Sequence, residues 1–258
     1  MTQIDINTFV GTYPFHDTVK HDVAELSALL SESDTKAAWV SQLDAIYRQD
    51  SELANRTLYA DCAGDARVSP IPSLDPDDAG WRAHLDEAVS RGAPAVRSDP
   101  SLCGMPAADE SMRVLLAACA ECQLPLMMAV RLEDLRQRDP ADPAQDLPPW
   151  AVRQLIRSHP AARLIITHAD RDFIEQVHFG STPDEAGRIL WDISWIWGPP
   201  EDHLELLLQT VGRDRFCFGS GVPLRLGENA IAKLDLLDPD PRLRQRILAE
   251  NLEAFLDR

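Results

Sequence analysis

Eight short apolar runs, separated by amphipathic stretches, constrain the fold of this chain more than any other feature of its sequence. Stretches such as Leu164-Ile-Ile and Leu124-Pro-Leu-Met-Met-Ala-Val are continuously hydrophobic, which suits parallel strands covered on both faces. The runs predict strands at Gln3–Val10, Ala37–Leu43, Val68–Leu74 and Ala93–Arg97, then at Leu124–Val130, Arg163–His168, Ile189–Ser194 and Phe216–Gly219. Between them, apolar residues recur at helical spacing, as in Leu204, Leu207, Leu208 and Val211, or Leu243, Ile247, Leu248, Leu252 and Phe255. Gly92 and Gly212 stand where helices would stop. Leu147-Pro-Pro-Trp and Gly198-Pro-Pro-Glu place prolines where helices would start. Eight such βα units in 258 residues, with no linker, predict an α/β protein: a (β/α)8 TIM barrel forming one domain over residues 1–258. An open doubly wound sheet is the alternative, but no Gly-x-Gly-x-x-Gly follows a strand.

Charge narrows the function. With 25 basic against 42 acidic residues the net charge is −17, which excludes a basic nucleic-acid footprint and disfavours anionic membrane surfaces. Five cysteines, an odd number, imply no disulfide framework. No basic and apolar leader opens the chain, and no apolar run reaches the ~20 residues of a membrane span, so a cytoplasmic location is expected. Six tryptophans, Trp191, Trp195 and Trp197 among them, could build a pocket wall or a homo-oligomer interface.

In a barrel, chemistry sits at strand C-termini. His168 closes the sixth strand, where its near-neutral pKa suits proton transfer. Asp192 ends the seventh and could orient His168 or serve as a base, or simply pair with an arginine. Arg97, Arg131 and Arg136 could gather an anionic ligand, with salt bridging to Asp99, Glu133 and Asp134 as the plainer reading. Asn7 and Ser220 add polar groups at the ends of the first and eighth strands, and His16 follows the first. The proline-punctuated stretch from Arg131 to Pro149 is long enough for a lid or for a loose surface loop. Cys119 and Cys122 lie on a helical stripe with Leu115 and Ala118, which marks core packing rather than a metal pair.

Several stretches, in order, carry a resemblance to a known family. They are Ile4-Asp-Ile-Asn-Thr-Phe-Val-Gly, Tyr13-Pro-Phe, Asn55-Arg-Thr-Leu, Ile165-Ile-Thr-His, Arg215-Phe-Cys-Phe-Gly-Ser-Gly-Val-Pro-Leu and Ile247-Leu-Ala-Glu-Asn-Leu-Glu-Ala-Phe-Leu. Together they resemble the amidohydrolase-related TIM-barrel family, which includes metal-dependent hydrolases and aromatic-acid decarboxylases. The resemblance implies a divalent metal held by a His-x-His on strand one, a His after strand five, often a His on strand six, and an Asp after strand eight. Here Asn7 and Phe9 replace the first pair, Ala129-Val130-Arg131 carries no His, and Gly221 stands at the Asp position. Only His168 remains, and one imidazole is too few for a catalytic zinc, so no metal and no other cofactor is expected. A site assembled from Asp5, Asp99, His168 and Asp192 would be the exception. The expected function is hydrolase or lyase chemistry on a small carboxylate, with His168 and Asp192 catalytic and Asn7, Arg97, Arg131, Arg136 and Ser220 binding substrate. The alternative is a catalytically silent barrel used for binding or assembly.

Overall fold

The computed structural model describes residues 2–15, 20–32, 35–48, 50–198, 201–237 and 240–257. Eight parallel strands run β1 (Ile4–Thr12), β2 (Ala37–Gln42), β3 (Val68–Pro70), β4 (Val96–Arg97), β5 (Leu126–Ala129), β6 (Leu164–Thr167), β7 (Ile189–Asp192) and β8 (Phe216–Cys217). Ladders join β1 to β2 to β3, and β4 through to β8. A parallel bridge between Ser73 and Arg97 connects the two halves on one side. On the other, Ile6 N–H donates to Phe218 O (3.1 Å), Gly221 N–H to Asn7 O (2.8 Å) and Phe9 N–H to Val222 O (2.8 Å), which closes the cylinder. The extra antiparallel pairing of Lys20–His21 with the end of β1 is absent from the sequence reading.

The strand ladders are shorter than the apolar runs, and proline accounts for part of this. Pro70, Pro72, Pro94 and Pro125 lack the N–H a ladder needs, so β3, β4 and β5 begin or end beside them. Helices fill the connections at Val23–Glu32, Ser51–Cys62, Trp81–Ser90, Glu110–Glu121, Pro149–Ser158, Arg171–Phe179, His203–Thr210 and Gly227–Leu236. Pro149 occupies the first turn of its helix, whereas the helix expected after Gly198 begins only at His203; Pro199 and Pro200 lie outside the described residues, as does His16.

Inside the barrel, Ile6, Trp39, Ile71, Ala95, Met127, Ile165, Leu190 and Cys217 form one layer, each strand or its immediate continuation giving one side chain. Leu252 and Phe255 plug this layer from the N-terminal end. Asn251 holds the plug in place by donating to Arg213 O and Phe216 O, both 2.8 Å. The alternate strand residues, such as Leu164, Ile166, Met128 and Val130, face the helices in the largest apolar cluster. Cys119 is buried in that cluster and both it and Cys122 are free thiols. Among the described residues, no helix is long and apolar enough to cross a membrane.

Candidate active site at the barrel mouth

Two residues further along each strand lies the layer that could carry chemistry. It holds Ser73, Arg97, Ala129, Thr167, Asp192 and Gly219, each two positions beyond an inward apolar residue. β1 departs from this alternation. Its pairing with β2 shifts register between Asp5 and Thr8, and the bulge turns both Ile6 and Asn7 inward.

Asn7 is the hub of the layer. Its Nδ2 donates to Asp192 Oδ2 (2.8 Å) and to His168 Nε2 (3.0 Å), while its Oδ1 accepts from Arg97 (3.3 Å). The amide orientation follows from these partners, because the flipped form would set its oxygen against the carboxylate and its NH2 against the guanidinium. Nε2 of His168 is therefore unprotonated and Nδ1 carries the ring proton, near the Arg131 backbone but without a regular hydrogen bond to it. Asn7, Arg97, His168 and Asp192 are each 0% exposed.

His168 sits in the left-handed region, with φ 56. This uncommon conformation for a residue with a side chain lets its backbone N–H donate to Asp192 Oδ1 (2.9 Å) while its ring reaches Asn7. The sequence reading has Asp192 orient the imidazole directly; instead it holds the backbone of His168, and Asn7 stands between the two side chains. Phe9 stacks on the imidazole (centroids 5.9 Å apart) and Trp195 meets it edge-on (5.8 Å). Gly219 admits the close approach of β8, since a Cβ there would lie 2.6 Å from Asp192 Oδ2.

Burial sets the electrostatics. Desolvation first, then the nearby Arg225 and Arg97 cations, push the His168 pKa well below its ordinary value, so the ring is neutral. Burial raises Asp192 to about 6, against the opposing pull of Ser194, the His168 N–H and Asn7. Asp5, which accepts from the backbone N–H groups of Asn7 (3.1 Å) and Ser220 (3.0 Å), is likewise raised by burial to about 6. Relative to an unfolded carboxyl near 3.8, the folded state holds this proton more tightly, so the contribution of Asp5 is favourable below pH 4 and is lost as pH rises through 6. Asp5→Asn should therefore gain about 2 kcal/mol relative to wild type on going from pH 4 to pH 7.5, measured by denaturant unfolding at both pH values. An equal difference at the two pH values would rule out a buried, strained carboxylate.

The arginines do not converge. Arg97 enters the buried cluster, where it pairs with Asp99 (3.3 Å) and lies over Phe9. Arg131 is held by Asp146 (2.8 Å) and Asp170 (2.6 Å), and Asp170 also caps the helix that follows His168. Arg136 is 78% exposed and clasped by Asp134, outside the cluster. Ser220 has its Oγ against the Val222 N–H (3.1 Å) and its N–H on Asp5. The stretch from Arg131 to Pro149 is a folded cover rather than a loose loop: Leu132 and Ala144 join Phe9, Tyr13 and Leu102 in an apolar cluster over the mouth. Arg138 stitches it together through Ala144 O, Glu133 O and Asp146.

Sequence reasoning missed Arg225 and Lys233. Arg225 stacks on Trp195 at 3.5 Å, and Lys233 reaches back from its helix to Ile193 O (2.9 Å) and Ser194 O (3.0 Å). Arg225 falls in the loop directly after β8, so scanning that loop further would have found it. Lys233 gives no local signal.

The residues at the family's ligand positions do not fit a divalent ion. The ring nitrogen of His168 nearest the centre is occupied by Asn7, Phe9 is apolar, and Gly221 offers no donor. Of the composite set, Asp5 is turned to backbone N–H groups and Asp99 to Arg97 and the Ala129 N–H. Among the described residues, no group of three or more His, Cys, Asp or Glu side chains is arranged to hold a metal.

The fold defines a (β/α)8 barrel with a buried polar cluster at its mouth, and comparison with known proteins gives the family. The amidohydrolase family model matches residues 13–258, and the chain belongs to that family. The match begins beyond Asn7 and Phe9, so the first ligand pair lies outside it. Among curated proteins, none matches the sequence. Similar solved structures include 2,6-dihydroxybenzoate decarboxylase from Rhizobium (TM-score 0.74, 14% identity, 99% of this chain and 98% of that one). A dihydroxybenzoic acid decarboxylase from Polaromonas sp., with bound manganese and the inhibitor 2-nitroresorcinol, has a TM-score of 0.74 and 11% identity over 99% of this chain and 97% of that one. A probable 2-pyrone-4,6-dicarboxylic acid hydrolase from Acinetobacter baumannii, with citric acid bound, has a TM-score of 0.67 and 15% identity over 100% of both chains. The family's description is amidohydrolase, and the solved structures sharing its fold include decarboxylases and a probable hydrolase.

Proposed function

We propose that this chain is a hydrolase or lyase that works, as a single barrel domain, on a small carboxylate without a divalent metal. The observation that carries the reading is the Asn7 amide, whose two N–H donors meet His168 and Asp192 in the centre of the mouth. An amide NH2 in that position supplies the partial positive charge that the imidazole lone pair and the carboxylate both need, so the pair is satisfied without a cation. The relatives named above, a dihydroxybenzoate decarboxylase and a pyrone dicarboxylic acid hydrolase, support a carboxylate as the substrate class.

In this reading His168 is the proton-transfer group. Its depressed pKa keeps Nε2 free of a proton, and displacement of the Asn7 N–H by substrate would expose the lone pair. Asp192 is a positioning residue that fixes the His168 backbone and the Asn7 amide. Arg97 supplies fixed positive charge beneath the reacting centre, where charge developing on a substrate oxygen is stabilised. Arg131 keeps the turn carrying His168 in place through Asp170, and Arg136 and Ser220 border the way in.

The test is turnover of a carboxylate panel, scored for CO2 release and for ester or lactone hydrolysis, before and after exhaustive chelation. Activity unchanged by chelation and lost in His168→Gln is expected. Activity abolished by the chelator and restored by manganese or zinc would overturn metal independence. Absence of turnover across the panel would favour a silent binding barrel.

A further inference from the structure

We propose that the open cleft between the β7 and β8 loops binds a carboxylate with an apolar body, and that Arg225 is its anion anchor. This rests on the reading that the substrate is a carboxylate, and it adds where and by what the acid is held. The cleft has a volume of about 490 Å³, within the usual range for small-ligand sites. Trp195, Ser194 and Ser220 line it on the side of the buried cluster, and Trp197, Leu226 and Leu236 form an exposed apolar rim.

The other arginines around the mouth face carboxylates: Arg97 meets Asp99, Arg131 meets Asp146 and Asp170, Arg136 meets Asp134, and Arg138 meets Asp146. Arg225 differs. Among the described residues, neither an ion pair nor a hydrogen bond is formed by its guanidinium; its buried Nε lacks a partner, as do those of Arg97 and Arg138, but each of those two meets a carboxylate and Arg225 does not. In a chain of net charge −17, a half-buried guanidinium with no direct carboxylate partner is the unusual case: Asp134 and Glu133 act on it only through space, Asp134 being clasped by Arg136, and unfilled donors away from water are costly. Stacking on Trp195 at 3.5 Å fixes the guanidinium plane, so the Nη edges form a pre-oriented fork of the kind that receives a carboxylate bidentately.

Lys233 adds a second positive charge to the cleft. Its Nζ is anchored on the Ile193 and Ser194 carbonyls. The Asp134–Arg136 pair at the lip is internally neutral. A single fork beside an exposed tryptophan and two leucines suits an acid whose remaining surface is flat and apolar. Trp195 separates this cleft from His168 while touching its ring, so an acid held by Arg225 lies one side chain from the proposed proton-transfer group.

Benzoate is the probe, with benzamide as its neutral isostere, followed by calorimetric titration and by thermal shift. Wild type should bind benzoate and not benzamide. Arg225→Met should weaken benzoate at least about tenfold, and Arg225→Lys, which keeps charge but not the fork, should fall between. Because no protein group depends on the guanidinium for a hydrogen bond, Arg225→Met should fold, and at one benzoate concentration the rise in melting temperature should be largest for wild type, smaller for Arg225→Lys and smallest for Arg225→Met. Equal benzoate affinity in wild type and Arg225→Met, or no binding to wild type, would overturn the proposal. Intact benzoate binding with no turnover on any substrate would sink the catalytic reading and leave the cleft standing; turnover of a carboxylate with benzoate binding indifferent to Arg225 would do the reverse.

Discussion

Asn7→Leu should cost about 3–5 kcal/mol of folding stability, although the side chain it introduces is of similar size and more hydrophobic. The loss comes from what the amide leaves behind. Arg97 loses an acceptor, Asp192 Oδ2 loses its donor and His168 Nε2 loses its partner, all where no water reaches. For a chain of this size each kcal/mol lowers the melting temperature by roughly 2–4 °C, so a fall on the order of 10 °C is expected. Asn7→Asp separates polarity from the specific donor. Its carboxylate would face Asp192 Oδ2 at the 2.8 Å that the amide now spans, so it must carry a proton to bind. That variant should be destabilised at pH 8 and recover toward pH 5. A loss under 1 kcal/mol in Asn7→Leu would show that the hub carries no energetic weight.

The second large effect is expected at Arg97. Arg97→Met keeps the stem in the same space but leaves the Asp99 carboxylate buried with only the Ala129 N–H, and the Asn7 oxygen without its donor. Removing one member of a buried ion pair costs about 3–5 kcal/mol, because the remaining charge is uncompensated. The sign of its pH dependence follows from Asp99, whose pKa burial already raises and Arg97 pulls back down. Without Arg97 it rises further, so the destabilisation should be largest above neutral pH and shrink as pH falls and Asp99 takes up its proton. Denaturant unfolding at pH 8 and pH 5 reads this out. A loss independent of pH would point to packing over Phe9 rather than charge pairing as the role of the guanidinium.

The barrel was legible because runs such as Leu164–Thr167 require a parallel strand covered on both faces, and eight of them alternating with helices, with no Gly-x-Gly-x-x-Gly after a strand, favour a barrel over an open sheet. Strand ends were less so, since proline positions and closure between β1 and β8 decide where ladders stop. At the site, His168, Asp192 and Arg97 follow from counting to strand C-termini. Asn7 was a candidate on the same count, but its central place depends on the β1 bulge, which an alternating pattern conceals. The fates of Arg131 and Arg136 differ for a physical reason. The partner of Arg136 is two residues away at Asp134 and was visible in the sequence, whereas Asp170 lies 39 positions from Arg131 and only tertiary folding joins them. Arg225 stands in the loop after β8 and was within reach of the same count, whereas Lys233 takes its meaning only from the carbonyls that surround it in space.

The closure of β1 on β8, with Leu252 and Phe255 set beneath the inner layer, has a consequence for synthesis. Of the eight strands β1 is made before the others, and beyond the Gly11–Thr12 end that pairs with Lys20–His21 its second edge waits for β8, more than two hundred residues later; the floor of the cylinder is supplied later still. Cooperative folding therefore has to wait for the last strand and the floor: a nascent chain whose emerged part stops before Phe216 should present that open edge to chaperones, and one that stops before Leu252 a hollow core.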